Sequence, residues 1–298
     1  LGKGLSMPEL EIIIVNYQTP DLTLNCLKSI FSKNWTNEID VIVVDNNSKD
    51  NSLQIIKNSY SQIKIIESSK NLGFTGGNNL GLNETTANLV LLLNSDTLVK
   101  TGALDNLINF ANSTDYGIIS CQLLNPDGSF QPNGGKLPNL ANLLLWLSNL
   151  DDLLNIPSYQ MKNRSDFKTV ELGWISGAVM LIKKDVIEKI GLLDENIFMY
   201  GEDVEYCLRA KRAGIKVGWT NQAQITHLGG GSLRAPKFKQ WLGEFKGLIY
   251  IYQKYYGNFL SVILKFLLYF FVLLRGLAFL LIGRYKTTLI YAKIFTEL

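Results

Sequence analysis

EIIIVNY (11–17) decides the fold. Three isoleucines and a valine follow one another without a polar break, and the run then ends in Asn16 and Tyr17. A strand with one face in water alternates polar and apolar residues. A run that is apolar at every position reads as a strand covered on both faces, as in a parallel sheet. The same signature recurs in DVIVVDNN (40–47), IKIIES (63–68) and NLVLLLNSD (88–96), each a short apolar run ending in Asn, Asp or Ser. Between the runs, 21–34 and 50–60 have helical periodicity. Leu24, Leu27, Ile30 and Phe31 fall near one face of the first, and Asp50 suits the start of the second. Strand, helix, strand, helix is the doubly wound α/β pattern, whose ligands bind at the carboxyl ends of the strands. The polar residues that close these runs are therefore the first candidates for a site.

Composition narrows the class. The chain has 298 residues, 47% hydrophobic and 18% charged, which is enough for a full core and excludes intrinsic disorder. A net charge of +3 is too small to point to a nucleic acid as partner. Cys26, Cys121 and Cys207 are widely spaced and odd in number, which excludes a disulfide scaffold or a CxxC zinc site and fits a reducing compartment. The single histidine confines imidazole chemistry to one place. LGKGLS (1–6) lacks the apolar core of a secretory signal and reads as an appended leader before Met7.

Further along, NPDGSFQPNGGKLPN (125–139) reads as a long loop, of the kind that is usually functional or mobile. ANLLLWLSNLDDLL (141–154) reads as a short apolar helix, WISGAVMLIKK (174–184) as a strand, 185–190 and 204–213 as helices, and KVGWT (216–220) as another strand. The last fifty residues change character. Residues 259–282 are nearly all Leu, Phe, Ile, Val and Tyr, with Lys265 and Arg275 as the only charges. Taken as one continuous helix at about 100° per residue, Lys254, Lys265, Arg275 and Lys286 share an arc of about 80°. That pattern predicts a helix lying in a lipid interface with its basic side toward anionic headgroups, a peripheral attachment to the cytoplasmic face of a membrane. A buried helical hairpin or a contact between copies in a homo-oligomer is the alternative.

Several polar groups carry possible chemistry. Asp45 at a strand end is placed to accept from a base or ribose, or else to cap the following helix. NLGFTGGNNLG (71–81) has glycines dense enough to admit a ligand close to the backbone, and the helix start after it favours phosphate, but it is neither GxGxxG nor a P-loop. Asp96, emerging from a wholly apolar strand, is costly unless paired or bound to a metal, and Mg2+ and Mn2+ prefer such oxygen ligands. Trp174 is either a pocket wall or a core aromatic.

Taken together, VNYQTPD (15–21), VVDNNSKDNS (43–52), NLGFTGGNN (71–79), LLLNSD (91–96), WISGAVMLI (174–182), GLLDENIFMYGEDVEYCLRAKRAG (191–214) and THLGGGS (226–232) resemble the family 2 glycosyltransferases, and especially their rhamnosyltransferase-like branch. The resemblance covers about residues 10–232. It implies the GT-A fold, a Rossmann-like, mostly parallel sheet flanked by helices, followed here by a hydrophobic helical tail. On that reading 7–235 is the catalytic domain, with a donor half to about 125 and an acceptor half after it, and 236–298 is the membrane-associating region.

The resemblance also implies roles. An inverting transfer from a nucleotide-diphosphate sugar (dTDP-rhamnose or a UDP-sugar) to a lipid-linked or cell-surface glycan would use Asn16, Tyr17, Asp45, Asn46, Asn71, Gly73, Phe74, Gly77, Asn78, Ser95 and Asp96 for the donor. Asp203 would be the base that takes the acceptor hydroxyl's proton. Glu202 would orient the acceptor beside Trp174, Ser176 and Gly177. Asp96 would be the last carboxylate of an Asp-x-Asp motif for a divalent cation, Mn2+ or Mg2+. Asn94 replaces the first aspartate, which leaves His227 as the obvious second ligand, and imidazole suits Mn2+ better than Mg2+. A nucleotidyltransferase would carry a Gly-rich basic loop directly after the first strand, where this chain has Asn16–Thr19. A sugar-nucleotide-binding protein without turnover is favoured only by the loss of that first aspartate. Residues 126–138 and 229–233 are glycine-rich enough to fold over a bound donor.

Overall fold

The computed structural model describes residues 8–162, 168–229 and 237–298. The sequence runs fold as read. β1 (Leu10–Asn16), β2 (Ile39–Asp45), β3 (Lys64–Glu67) and β4 (Leu89–Leu93) pair in parallel in the order β3-β2-β1-β4. Burial on both faces is visible residue by residue. Ile12, Ile14, Val41, Val43, Leu91 and Leu93 join one hydrophobic cluster, while Ile13, Ile42, Val44, Val90 and Leu92 join the other. Each strand thus feeds two cores, and a polar residue anywhere along it would be stranded in one of them.

α1 (Pro20–Phe31) and α2 (Ser52–Ser59) connect the first three strands, and α3 (Gly73–Leu82) leads into β4. The glycine-rich 73–79 segment is therefore a helix, not a loop. Glycine is a poor helix former, but packing overrides propensity here. A Cβ at Gly81 would lie 2.5 Å from Ile13 and one at Gly77 2.9 Å from Val15, so only glycine lets α3 sit this close to β1.

The sheet continues through β5 (Thr97–Val99), α4 (Ala103–Ser113) and β6 (Tyr116–Leu124). The 125–139 stretch holds two short strands, β7 (Phe130–Gln131) and β8 (Gly134–Gly135). The apolar stretch after it breaks into α5 (Leu140–Leu147) and α6 (Leu150–Leu153) at Asn149, which has φ 57°. β9 (Thr169–Leu172) follows. The expected strand over 174–184 is two strands, β10 (Trp174–Ile175) and β11 (Val179–Lys183), with Ser176–Ala178 turned out of the ladder between them. α7 (Lys184–Ile190), α8 (Glu202–Arg212) and β12 (Lys216–His227) complete the sheet, whose main path runs β3-β2-β1-β4-β11-β6-β12-β5. Of these eight strands only β11 and β5 run against the rest. The chain crosses from one side of β1 to the other between β3 and β4, which makes the carboxyl ends of β1 and β4 the topological switch point.

The C-terminal region is three helices rather than one. α9 (Lys237–Tyr255), α10 (Asn258–Leu281) and α11 (Tyr285–Glu297) are separated at Gly257 and Gly283, both with positive φ. The basic stripe expected of one continuous helix is therefore broken. Lys254 belongs to α9 and pairs with Asp194 and Glu205 at 2.6 and 2.8 Å. Arg275 donates to the Leu147 carbonyl at 2.7 Å and to Asn149 Oδ1 at 2.8 Å. One side of α10, with Leu264, Leu268, Phe271 and Val272, is buried in the same core cluster as β2, α8 and α9. Its opposite side exposes Phe259, Val262, Phe266, Phe270, Leu273, Leu277 and Leu281. At 100° per residue these seven fall within an arc of about 100° that holds no charge. The helix is thus apolar toward the protein and apolar away from it. It is long and apolar enough to cross a membrane by length and composition.

Candidate active site

A cleft of about 320 Å³ opens at the switch point. Its lining includes Tyr17, Asn46, Asn71, Gly73, Phe74, Asn78, Ser95 and Asp96 on one side and Trp174, Ser176, Gly177, Glu202 and Asp203 on the other, with His227 between. These groups, spread from Tyr17 to His227 in the chain, meet because the parallel strands end at the same edge and α3 and α8 start beside it. Asn16, Asp45 and Gly77 do not line the cleft. The Asp45 carboxylate accepts from Asn16 Nδ2 at 2.9 Å and from the Ser48 amide at 3.0 Å, and Asn16 Oδ1 accepts from Thr23 at 2.8 Å. These three groups tie β1 and β2 together directly beneath the lining. Gly77 meets Val15 and the Asn46 side chain.

Asn46 is more committed than its position in the sequence implied. Its side chain donates to the Gly73 carbonyl at 2.8 Å and to Asn71 at 3.0 Å, and accepts from the Leu72 amide at 2.9 Å. The amides that open α3 are also taken: Gly73 donates to Asn71 Oδ1, and Phe74 and Thr75 donate to the Phe198 carbonyl. The start of this helix is therefore not an open phosphate cradle. It locks the 193–201 segment to the side of the cleft formed by α3 and the end of β2.

That segment aims the two acids. Tyr200 (φ 72°) and Gly201 (φ 98°) are consecutive left-handed residues, and the chain turns on them into α8. A left-handed tyrosine costs about 1–2 kcal/mol, and such strain collects where side chains must be presented in a set direction. Glu202 and Asp203 occupy the first turn of α8, where the helix dipole favours negative charge. Burial raises both carboxyls above their usual range, and for Glu202 the adjacent Asp203 charge adds to it. They are not equivalent. Asp203 accepts from the Gly177 amide at 3.1 Å and the Val204 amide at 2.8 Å, bonds that favour its ionised form. Glu202 Oε2 is buried and makes no hydrogen bond among the described residues. Of the two, Glu202 is pushed up further and holds its proton more tightly than Asp203. Glu205, one turn on, is engaged by Arg209 at 2.9 Å and by Lys254, and faces away from the cleft chemistry.

His227 ends β12 and lies 3.2 Å from Asp96 Oδ1 through Nε2. Its Nδ1 lies 2.7 Å from Gln131 Oε1. The Gln131 amide nitrogen donates to Asn125 Oδ1 and to the His227 carbonyl, which fixes its oxygen toward the ring. Nδ1 is therefore the nitrogen that donates to Gln131, and Nε2 is turned toward the Asp96 carboxylate. An imidazole nitrogen and a carboxylate oxygen side by side are donors that a divalent cation takes. The pair fits a divalent cation with an outer partner already orienting the imidazole. No group of three or more His, Cys, Asp or Glu that could hold a metal occurs among the described residues, so substrate or water would complete the shell. Asn94 Nδ2 lies 3.5 Å from the same Nε2 and supplies no charge.

The lining also holds residues that no motif indicated: Tyr159, Gln160, and Gln240 and Glu244 from α9, beside Pro132 and Asn133 of the 126–138 stretch read as a possible cover. Its acids are Asp96, Glu202, Asp203 and Glu244, and no lysine or arginine is among the described lining residues. Residues 230–233, read as a possible cover, lie outside the described residues.

The sequence profile of Glycosyl transferase family 2 matches residues 11–191. The low-salt glycan biosynthesis hexosyltransferase Agl10 of Haloferax volcanii is 31% identical over 230 residues, which cover 74% of this chain and 67% of that protein. An N-acetylglucosaminyl-diphospho-decaprenol L-rhamnosyltransferase of Mycobacterium tuberculosis is 24% identical over 73% of this chain and 75% of its own length. Among solved structures, the mannosyltransferase PcManGT of Pyrobaculum calidifontis, in complex with GDP-Man and Mn2+, superposes with a TM-score of 0.58 at 14% identity, over 97% of this chain and 74% of that one. This last likeness is one of fold, a GT-A sheet.

Proposed function

The chain belongs to glycosyl transferase family 2, and from that premise we propose that it is an inverting, metal-assisted transferase that moves a hexose, rhamnose or a relative of it, from a dTDP- or UDP-linked donor to a lipid-linked glycan acceptor. The observation that carries the reading is the juxtaposition, in a cleft at the switch point, of Asp203, held by two backbone amides, with Glu202, whose Oε2 is buried without a hydrogen bond among the described residues. The donor lies along Tyr17, Asn71, Asn78 and Ser95, and its diphosphate reaches the Asp96–His227 pair. Asp96 and His227 would hold the divalent cation, which would supply the positive charge that the leaving diphosphate needs. A lining whose described residues include four acids and no lysine or arginine favours that cation over direct contact of the diphosphate with the protein.

Asp203 Oδ2 or Oδ1 takes the proton of the acceptor hydroxyl as the new C–O bond forms opposite the departing nucleotide, which inverts the anomeric carbon. Glu202 donates a hydrogen bond to the acceptor, and Ser176 and Trp174 wall its sugar. The exposed apolar side of α10 seats the enzyme on the membrane that carries the lipid-linked acceptor, as a peripheral protein at the cytoplasmic face. The lipid-linked substrate in the mycobacterial relative's name supports that choice of acceptor.

Transfer from a panel of radiolabelled dTDP- and UDP-sugars to membrane lipid extract, with Mn2+ and with a chelator, tests the reading. Asp203→Asn is expected to lower transfer by about 10²–10⁴-fold while donor affinity stays within about 3-fold. Turnover like that of the wild type in Asp203→Asn would refute the assignment of the base.

A further inference from the structure

Helix α9 reaches the cleft from a part of the chain beyond both the family match and the sequence motifs. Gln240 and Glu244 lie one turn apart on it, and both line the cleft. Gly243 and Gly247 share their face, since all four positions fall within an arc of about 100°. The two glycines seat the helix on the turn that launches the catalytic acids. A Cβ at Gly247 would meet the Tyr200 carbonyl oxygen at 2.5 Å, and one at Gly243 the Tyr200 ring at 2.6 Å. Contact of backbone on backbone leaves Glu244 little choice of direction, and it stands near Asp203, whose charge acts on it, and hydrogen-bonded to Tyr159. Tyr159 stacks on Trp174 with centroids 5.0 Å apart, and Trp174 Nε1 donates to the Tyr159 carbonyl at 2.8 Å. Burial, then the Asp203 charge, push the Glu244 carboxyl up to about 7.

An acid in this position costs stability, and a helix packed through glycines gains nothing structural from it. Glu202 and Asp203 already provide the proton chemistry. What a carboxyl and an amide one turn apart beside an aromatic pair do supply is a set of directed acceptors and donors next to an apolar wall, which is the chemistry that holds a pyranose. We infer that Glu244 and Gln240 form the acceptor-sugar subsite, each bonding a hydroxyl or acylamino group that neighbours the attacking hydroxyl. This rests on the glycosyltransferase reading above. The helix that carries the subsite leads directly into the apolar α10.

The test is steady-state kinetics of the full chain with a short-chain N-acetylglucosaminyl-diphospho-lipid as acceptor probe and the donor that the panel selects. In Glu244→Gln the acceptor KM is expected to rise about 10-fold or more, with donor KM within about 2-fold of wild type, and Gln240→Ala to shift the same constant in the same direction. Acceptor KM unchanged in both variants, or donor and acceptor KM rising together, would overturn the subsite. Wild-type enzyme that transfers from no donor would instead remove the glycosyltransferase reading and the subsite with it.

Discussion

The exposed stripe of α10 gives the most direct prediction. Phe259 and Phe266 are 77% and 71% exposed and lie two turns apart on the uncharged arc, so Phe259→Ser with Phe266→Ser removes apolar surface without touching the core. Full burial of a phenylalanine is worth about 1.5–3 kcal/mol, and with roughly three quarters of each ring available the pair contributes about 3 kcal/mol to lipid binding. That corresponds to about a 100-fold loss of partitioning. Flotation with vesicles of phosphatidylethanolamine and phosphatidylglycerol measures it, with circular dichroism to show that the fold is kept. Because Lys254 and Arg275 are occupied within the protein, the wild-type affinity is expected to change little with added salt, unlike a headgroup attachment through a basic stripe. Unchanged flotation of the double variant would refute the reasoning. So would a dimer that dissociates on substitution while vesicle binding stays intact, because the stripe would then be a subunit contact. Truncation after α9 is the wrong experiment, since it would strip Leu264, Leu268 and Phe271 from the shared core.

The remaining predictions concern the cleft. Gln131→Leu is expected to weaken Mn2+ about 10-fold, read by the Mn2+ concentration that raises the unfolding temperature in the presence of nucleotide, because the His227 ring loses the partner that sets its tautomer. Equal Mn2+ response in that variant would remove the outer-partner argument. The native Glu244 carboxyl holds its proton more tightly than the unfolded chain does, so its stabilising contribution is present below about pH 4.5 and is lost as pH rises toward about 7. Glu244→Gln is therefore expected to unfold at higher denaturant than wild type at pH 8, by of order 1–3 kcal/mol, with the gap closing by pH 4. A variant less stable than wild type at pH 8 would contradict the sign.

The sheet was legible because burial on both faces leaves a strand no polar position, and the four parallel runs are unmistakable for that reason. Their polar ends lie at one edge, and Asp96, Glu202, Asp203 and His227 meet there in one cleft. Asp45 shows the limit of such reading: a strand-end aspartate looks the same whether it faces a ligand or, as here, bonds Asn16 and Ser48 one layer below. The glycines of α3 misled because local propensity argues against a helix, and only the distance to Ile13 and Val15 explains them. The three C-terminal helices were readable in principle, since Gly257 and Gly283 sit where the single-helix reading needed continuity. Glu244 had a faint signal, an acid inside a helix with Gly243 and Gly247, but nothing local says that those glycines rest on Tyr200.

The seating of α9 on the Tyr200–Gly201 turn has a consequence for engineering. Chimeras that exchange the C-terminal helices between related enzymes in order to change acceptor range will misalign Glu202 and Asp203 unless both glycines, the strained tyrosine and its following glycine travel as one cassette.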